Sequence, residues 1–307
     1  MPPDSDYDKE IPISSQRAVE LQNAEELMKG IMIPPRPTVL VDVLNEQSKD
    51  DPNLQRIADL ISRDVAISAG VLRVVNSSFF GLRRKISSID HAVRLMGIRS
   101  VTNIVTALML HSAFSDTKGA FMDQFWATSG QLAAVTSHAA RVSTAIATEE
   151  GYAIGLFANC GVPLMLKKFP NYPSIYSRAL EAEDVTASSF EDAELGTDHT
   201  LVGFIMGKSW ELPETVCQSI LRHHDTTDYF ETKEDDIADA TPSLAVLHLG
   251  QFLYRHVQQL PPAHEWAVIG DRVCAYLGIS ADEKEDLLAD AVKLSDESTG
   301  LDEMMEG

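Results

Sequence analysis

Ile154, Gly155, Leu156, Phe157, Ala158, Asn159, Cys160 and Gly161 form a run near the middle of the chain that is apolar except for one amide. A segment that is apolar on every side is a buried one. Asn159 therefore stands where a polar side chain must find a partner or act on something. With Gly155 and Gly161 as its flexible points, the run reads as the central helix of an all-helical core. That helix is expected over Tyr152 to Lys168, before Pro170 and Pro173 stop it. What Ala158 and Asn159 do there decides whether the protein is an enzyme.

Outward from this helix the apolar positions keep helical spacing, and no stretch alternates with the period of a strand. On its amino-terminal side a long helix is predicted from Phe121 to Thr148, carrying Phe125, Trp126 and Leu132. Before it come helices over Ser15 to Met32, Thr38 to Gln47, a segment through Ser62 capped by Asp51 with Pro52, and Val65 to Val75 ending at Asn76. Ser88 caps Ile89 to Met96, Gly97 stops it, and Ile98 to Phe114 follows. Past the central run, the acidic stretch Leu180 to Gly196 reads as an exposed helix and loop. Thr197 or Asp198 caps Leu201 to Trp210, and Pro213 opens a helix that His223, His224 and Asp225 close. Three more helices are expected over Pro242 to Val257, Glu265 to Leu277 and Ala281 to Leu294. The organisation is thus a tail over 1–14, a helical subdomain over 15–118, a second over 119–295, and an acidic tail over 296–307.

The chain has 307 residues, 25 basic against 46 acidic, for a formal charge of -21. A surplus of that size repels phosphate backbones and anionic lipid, which argues against direct nucleic-acid or membrane binding. Cys160, Cys217 and Cys274 are scattered in apolar contexts, as expected of reduced core thiols in a cytoplasm. Acidic residues follow the first methionine, unlike a signal peptide, and no 18 apolar residues run together.

Histidine is the commonest metal ligand and titrates nearest neutrality. His199, His223 and His224 fall on two helices joined by the Trp210 to Pro213 turn, so a hairpin can bring them together. Histidines in a last helical turn also meet the negative end of the dipole, and spacing alone favours capping and packing over metal. His111 and His138 read as structural, and His91, His248, His256 and His264 show no partner pattern. Trp126 and Trp210 sit at core spacing. Arg83, Arg84 and Lys85 form a basic turn.

Taken together, Leu72 to Gly81, with Asn76, Phe80 and Gly81, and Ile86 to Gly97 resemble the HDOD family, the HD-related output domain of bacterial signalling proteins. Phe125 with Trp126, Gly155 and Gly161, then Gly196, His199, Gly203, Trp210, Leu212 and Pro213, and finally His223 with His224 continue the resemblance over about residues 30 to 225. It implies an all-α protein, an amino-terminal helical bundle packed on a bundle related to the HD phosphohydrolases. In active HD enzymes a histidine, a His-Asp pair, further histidines and a last aspartate bind metal ions. Carried over by position, the first histidine falls on Thr128, the pair on Ala158 and Asn159, and the last aspartate on Gln251. Alanine cannot ligate, and a hydroxyl and two amides are poor ligands.

The expectation is a cytoplasmic, non-catalytic regulatory module with no required cofactor, at most one divalent metal ion, and a signalling protein as partner. Asn159 is then a hydrogen-bonded link between core helices. The first alternative is an atypical metal-dependent phosphohydrolase in which His199, His223 and His224 hold one ion, with Asp198 or Asp225. The second is a module that binds a nucleotide or another small molecule in the pocket of the lost site.

Overall fold

A computed structural model describes residues 15–30, 33–76, 85–226, 230 and 239–305, and among them every regular element is a helix. The tail over 1–14, and Phe80, Gly81, Arg83 and Arg84, lie outside the described residues. In order the helices are α1 (Ser15–Leu27), α2 (Thr38–Gln47), α3 (Leu54–Ser62), α4 (Val65–Val75), α5 (Ile89–Ala113), α6 (Ala120–Ser143), α7 (Thr148–Phe157) and α8 (Val162–Lys168). They continue as α9 (Tyr172–Glu181), α10 (Ala187–Leu195), α11 (His199–Ser209), α12 (Glu214–Arg222), α13 (Thr241–Val257), α14 (His264–Leu277) and α15 (Ala281–Met305).

Helices α2, α3, α4 and α7 pack on α5, while α6 is gripped by α7, α13 and α15. One apolar core joins the two groups, from Leu40 and Ile57 through Leu110 and Ile154 to Leu247. Although it opens the chain, α1 packs against α11, burying Leu21, Ala24 and Met28. The proline-rich connection that follows α1 is tied to the same helix. Trp210 Nε1 donates to the Pro34 carbonyl at 2.8 Å, and Arg36 donates to the Trp210 carbonyl at 3.1 Å and to Glu211 at 2.7 Å.

Asn76 and Gly97 have local reasons. Asn76 Nδ2 donates to the carbonyls of Leu72 and Ile86, and the Ile86 N–H donates back to Oδ1 at 2.6 Å. One side chain thus clamps the two ends of the segment between α4 and α5. Gly97, at φ 83°, divides α5 into two helical stretches at the point expected. By length and composition α5 is apolar enough to cross a membrane, although polar residues interrupt it. It is packed inside the bundle instead, with Val101, Ile104, Val105 and Leu110 buried.

Several boundaries differ from the sequence reading, each for a physical reason. The cap of α3 is Asn53, whose side chain accepts from the Arg56 N–H, and not Asp51. α6 ends where Thr144 turns left-handed at φ 54°, and Thr148 belongs to α7. The single helix expected over Tyr152 to Lys168 is two, because the chain turns through residues 158–161 and restarts with Pro163 in the first turn of α8. The acidic stretch before Gly196 contains α10, and one of its acids, Glu191, is completely buried. Ser280 and Glu283 form a capping box at the start of α15, which runs on to Met305 where a tail was expected.

The two glycines of the central run are required by close approach. A Cβ on Gly155 would lie 2.8 Å from the Ala133 Cα, where α7 crosses α6. A Cβ on Gly161 would lie 2.7 Å from the Gly203 nitrogen and closer still to the His199 carbonyl oxygen. The turn after α7 therefore presses directly on the first turn of α11.

Candidate metal centre

Asp198 starts the centre by capping α11. Its Oδ1 accepts from the Thr200 and Leu201 N–H groups at 2.7 and 3.2 Å and from the Thr200 hydroxyl at 2.5 Å. With that oxygen committed to the helix start, Asp198 serves as a cap. His199 is consequently the first residue of α11 and fully buried. The turn through Trp210 to Pro213 reverses the chain, and α12 delivers His223 at its carboxyl end with His224 next. This is the hairpin the spacing predicted. One ring nitrogen from each of His199, His223 and His224 lies within 4.8 Å of the others, and the His199 and His223 Nε2 atoms are 3.3 Å apart.

The partner of each second ring nitrogen sets its tautomer. His199 Nδ1 is 2.9 Å from Glu191 Oε2, His223 Nδ1 is 2.8 Å from the Ile220 carbonyl, and His224 Nδ1 is 2.6 Å from Glu265 Oε1. All three partners are acceptors, so each Nδ1 carries the hydrogen and donates it. In the neutral ring Nε2 is then a lone pair. Ligating histidines are usually held this way, with the far N–H donated to a carboxylate or carbonyl. With both rings neutral, two lone pairs would face each other at 3.3 Å, so that space suits a cation or the Nε2 proton of a charged His199 donated to His223.

Electrostatics keep this arrangement polarised. Burial alone drives the Glu191 carboxyl up, but the His199 charge and the hydrogen bonds from His199 and Tyr172 outweigh it and hold the carboxyl below its ordinary range. For His199, burial works downward, and Glu191, with help from Asp198 and Glu265, more than reverses it, so the ring lies above its ordinary value. His223 goes the other way, pushed well down by burial and by His224 and His199. Glu265 resists its burial through His224 and is held at about 2. Close to Glu265, His248 is buried on α13 and lowered to about 4, chiefly by burial.

The positions that the resemblance aligns with HD ligands lie on or next to α6, α7 and α13. Thr128 hydrogen-bonds Tyr254, and Ala158 is fully buried at the end of α7. Gln251 is half-buried on α13. Asn159 is half-buried too, and among the described residues its side chain makes no helix-bridging hydrogen bond. Its backbone carbonyl accepts from Val162. Asp225 pairs with Arg222 at 3.4 Å. Trp126 packs tilted against His111 and edge-on to Phe125, and Trp210 is fully buried. Cys160 is an inert thiol whose pKa is raised by burial.

Sequence reasoning missed Glu191, Glu265 and His248. For Glu191 a signal existed: Ala187, Glu191 and Leu195 recur every fourth residue, so the acid occupies the inward face of α10.

A sequence model of the HDOD domain matches residues 33–226. An uncharacterised protein of Treponema pallidum is 26% identical over 195 residues, covering 62% of this chain and 37% of that protein. The Bacillus subtilis protein YuxH, also uncharacterised, is 40% identical over 60 residues, 20% of this chain and 15% of its own. The chain thus spans well under half the length of these two relatives. Among solved structures, an HDOD domain protein of unknown function from Geobacter sulfurreducens superposes with a TM-score of 0.68 at 23% identity, over 91% of this chain and 97% of that one. A protein from Marinobacter aquaeolei VT8, provisionally named for signal transduction, gives 0.70 at 18%, over 95% and 67%. One from Shewanella amazonensis SB2B, provisionally named a metal-dependent phosphohydrolase, gives 0.65 at 18%, over 92% and 98%. At these identities the structures share a fold, and the match over residues 33–226 carries the assignment: this chain belongs to the HDOD domain family.

Proposed function

We propose that the protein is a non-catalytic regulatory module of a bacterial cytoplasm that signals by binding a partner protein, and that its three-histidine cluster is a site for one ion at most. The observation that carries this reading is the chemistry left at the superfamily's ligand positions. Ala158 offers no donor, Thr128 is engaged by Tyr254, and Gln251 and Asn159 are neutral amides. No carboxylate among these four can bridge two metal ions, which two-ion phosphoester hydrolysis requires. The purified full chain is expected to be inert toward phosphoester and cyclic dinucleotide substrates with added manganese or iron. Turnover that chelator abolishes and that disappears in His223→Ala overturns the reading.

The convergence of one ring nitrogen from each of three histidines favours a second reading, an atypical metal-dependent phosphohydrolase with His199, His223 and His224 as ligands. A divalent ion there would supply Lewis-acid polarisation of a phosphoryl oxygen. The chain's own part would be to hold three imidazoles in one tautomer and to keep the cluster enclosed beside Tyr176, whose ring lies edge-on to His199 at 6.0 Å. Elemental analysis combined with turnover separates the readings: a metal without turnover supports the first, and both together support the second.

A further inference from the structure

We propose that Glu191 and Glu265 are positioning residues that create the ion site by fixing the tautomers of His199 and His224, and that the resulting nitrogen-only centre takes zinc, cobalt or nickel in preference to magnesium. The inference rests on the reading of the cluster as a single-ion site.

Neither carboxylate is placed as a ligand. Glu191 Oε1 accepts from the Tyr172 hydroxyl at 2.9 Å, and Oε2 accepts from both the His199 backbone N–H at 2.8 Å and its Nδ1–H at 2.9 Å. Oε2 is thus occupied twice over by His199, and Oε1 by Tyr172. Glu265 Oε1 is similarly spent on His224 Nδ1. The third ring, His223, is held by a backbone carbonyl that α12 supplies. Three different elements therefore hold the Nδ1 side of three rings whose nitrogens cluster within 4.8 Å of one another.

The distances and charges agree with an ion at that meeting point. Zinc–nitrogen bonds of about 2.0–2.1 Å in tetrahedral geometry put neighbouring nitrogens about 3.3 Å apart. That is the separation of the His199 and His223 Nε2 atoms. Glu191 is fully buried and Glu265 is 4% exposed, so two negative charges lie out of solvent around three rings that are neutral as ligands. One divalent cation balances them, with Arg255 also acting on Glu265. Imidazole ligands suit zinc, cobalt and nickel, whereas magnesium demands oxygen ligands. A single proton shared by His199 and His223 would occupy the same space without a metal, and the test separates the two.

The experiment is a Co²⁺ titration of the full chain after chelator dialysis, followed by visible absorption. The wild type is expected to bind one Co²⁺ with the intense bands of low coordination number, unaffected by millimolar Mg²⁺, and His223→Ala is expected to lose them. Glu191→Gln and Glu265→Gln, which remove a charge with little change of shape, should each weaken Co²⁺ binding about 10- to 100-fold with far-UV circular dichroism unchanged. Imidazole ¹⁵N shifts of the metal-free protein should show Nδ1–H tautomers at all three rings, and Glu265→Ala should release His224 to the other tautomer. Co²⁺ bound equally well by the Gln variants overturns the positioning role, and Co²⁺ displaced by Mg²⁺ overturns the metal preference, each leaving a metal site. Absence of binding in the wild type, or binding that survives His223→Ala, overturns the metal site itself.

Discussion

Replacing Gly161 by alanine tests whether the turn after α7 braces the histidine centre. The added methyl would sit 2.7 Å from the Gly203 nitrogen, 3.0 Å from the His199 carbonyl carbon, and closer to the His199 oxygen. All three are backbone atoms of α11, so no side-chain rotation relieves the contact. Reaching ordinary contact at 3.4 Å requires α11 to retreat by at least roughly 0.7 Å from a fully packed neighbour. Overpacking of this kind costs about 1–3 kcal/mol, and rigid obstacles place it near the top of that range. For 307 residues the unfolding entropy is about 0.6 kcal/mol/K, so a 3 kcal/mol loss lowers Tm by about 5 °C. Gly70→Ala is the control. Its methyl would meet the Leu108 Cδ1 at 2.8 Å, the free end of a flexible side chain, and the alanine also gains up to about 1 kcal/mol of helix propensity. Calorimetry should show Gly70→Ala within about 2 °C of wild type and Gly161→Ala well below it. Equal melting temperatures for the two variants would refute the claim that α11 is held by direct backbone contact.

Further outcomes follow from single side chains. Trp210→Phe keeps most of the buried ring but leaves the Pro34 carbonyl without its donor, and should cost about 1–3 kcal/mol in urea unfolding. Asn76→Ala removes three hydrogen bonds and should cost about 2–3 kcal/mol, with faster amide exchange at Ile86. Asn76→Asp, which still accepts from Ile86 but turns its second oxygen on the Leu72 and Ile86 carbonyls, should cost at least as much. His111 is pushed below the ordinary imidazole pKa by burial, and His138 by burial and then Arg141. Each takes up a proton more readily when unfolded, so this part of the stability is complete above the unfolded pKa near 6.5 and is lost as pH falls below it toward the lower folded values. Urea unfolding between pH 8 and 5 should show that decline, and His138→Gln should make it shallower.

Helix content and the histidine hairpin were legible because both are local. Periodicity reports which face is buried, and the Trp210 to Pro213 turn announces that two helices fold back on one another. Gly97 and Asn76 were legible for the same reason, as stops within one turn of the helices they end. The break at residues 158–161 was not, since an apolar run looks identical whether it continues a helix or turns against α11; what decides it is the backbone of His199 and Gly203, about 40 residues on. Glu191 was hidden among acidic neighbours that do face solvent, and the pairing of His224 with Glu265 spans 41 residues with no local mark. Such acids carry the information that spacing lacks. A histidine triplet at these intervals is equally a set of helix caps or a set of ligands, and the difference lies in which nitrogen of each ring holds the hydrogen. That is set by the acceptor on the far side of the ring, so the ligand character of His199 and His224 resides as much in Glu191 and Glu265 as in the histidines. Substituting either acid leaves every family-motif histidine in place and, on the proposed reading, is expected to weaken ion binding by the cluster.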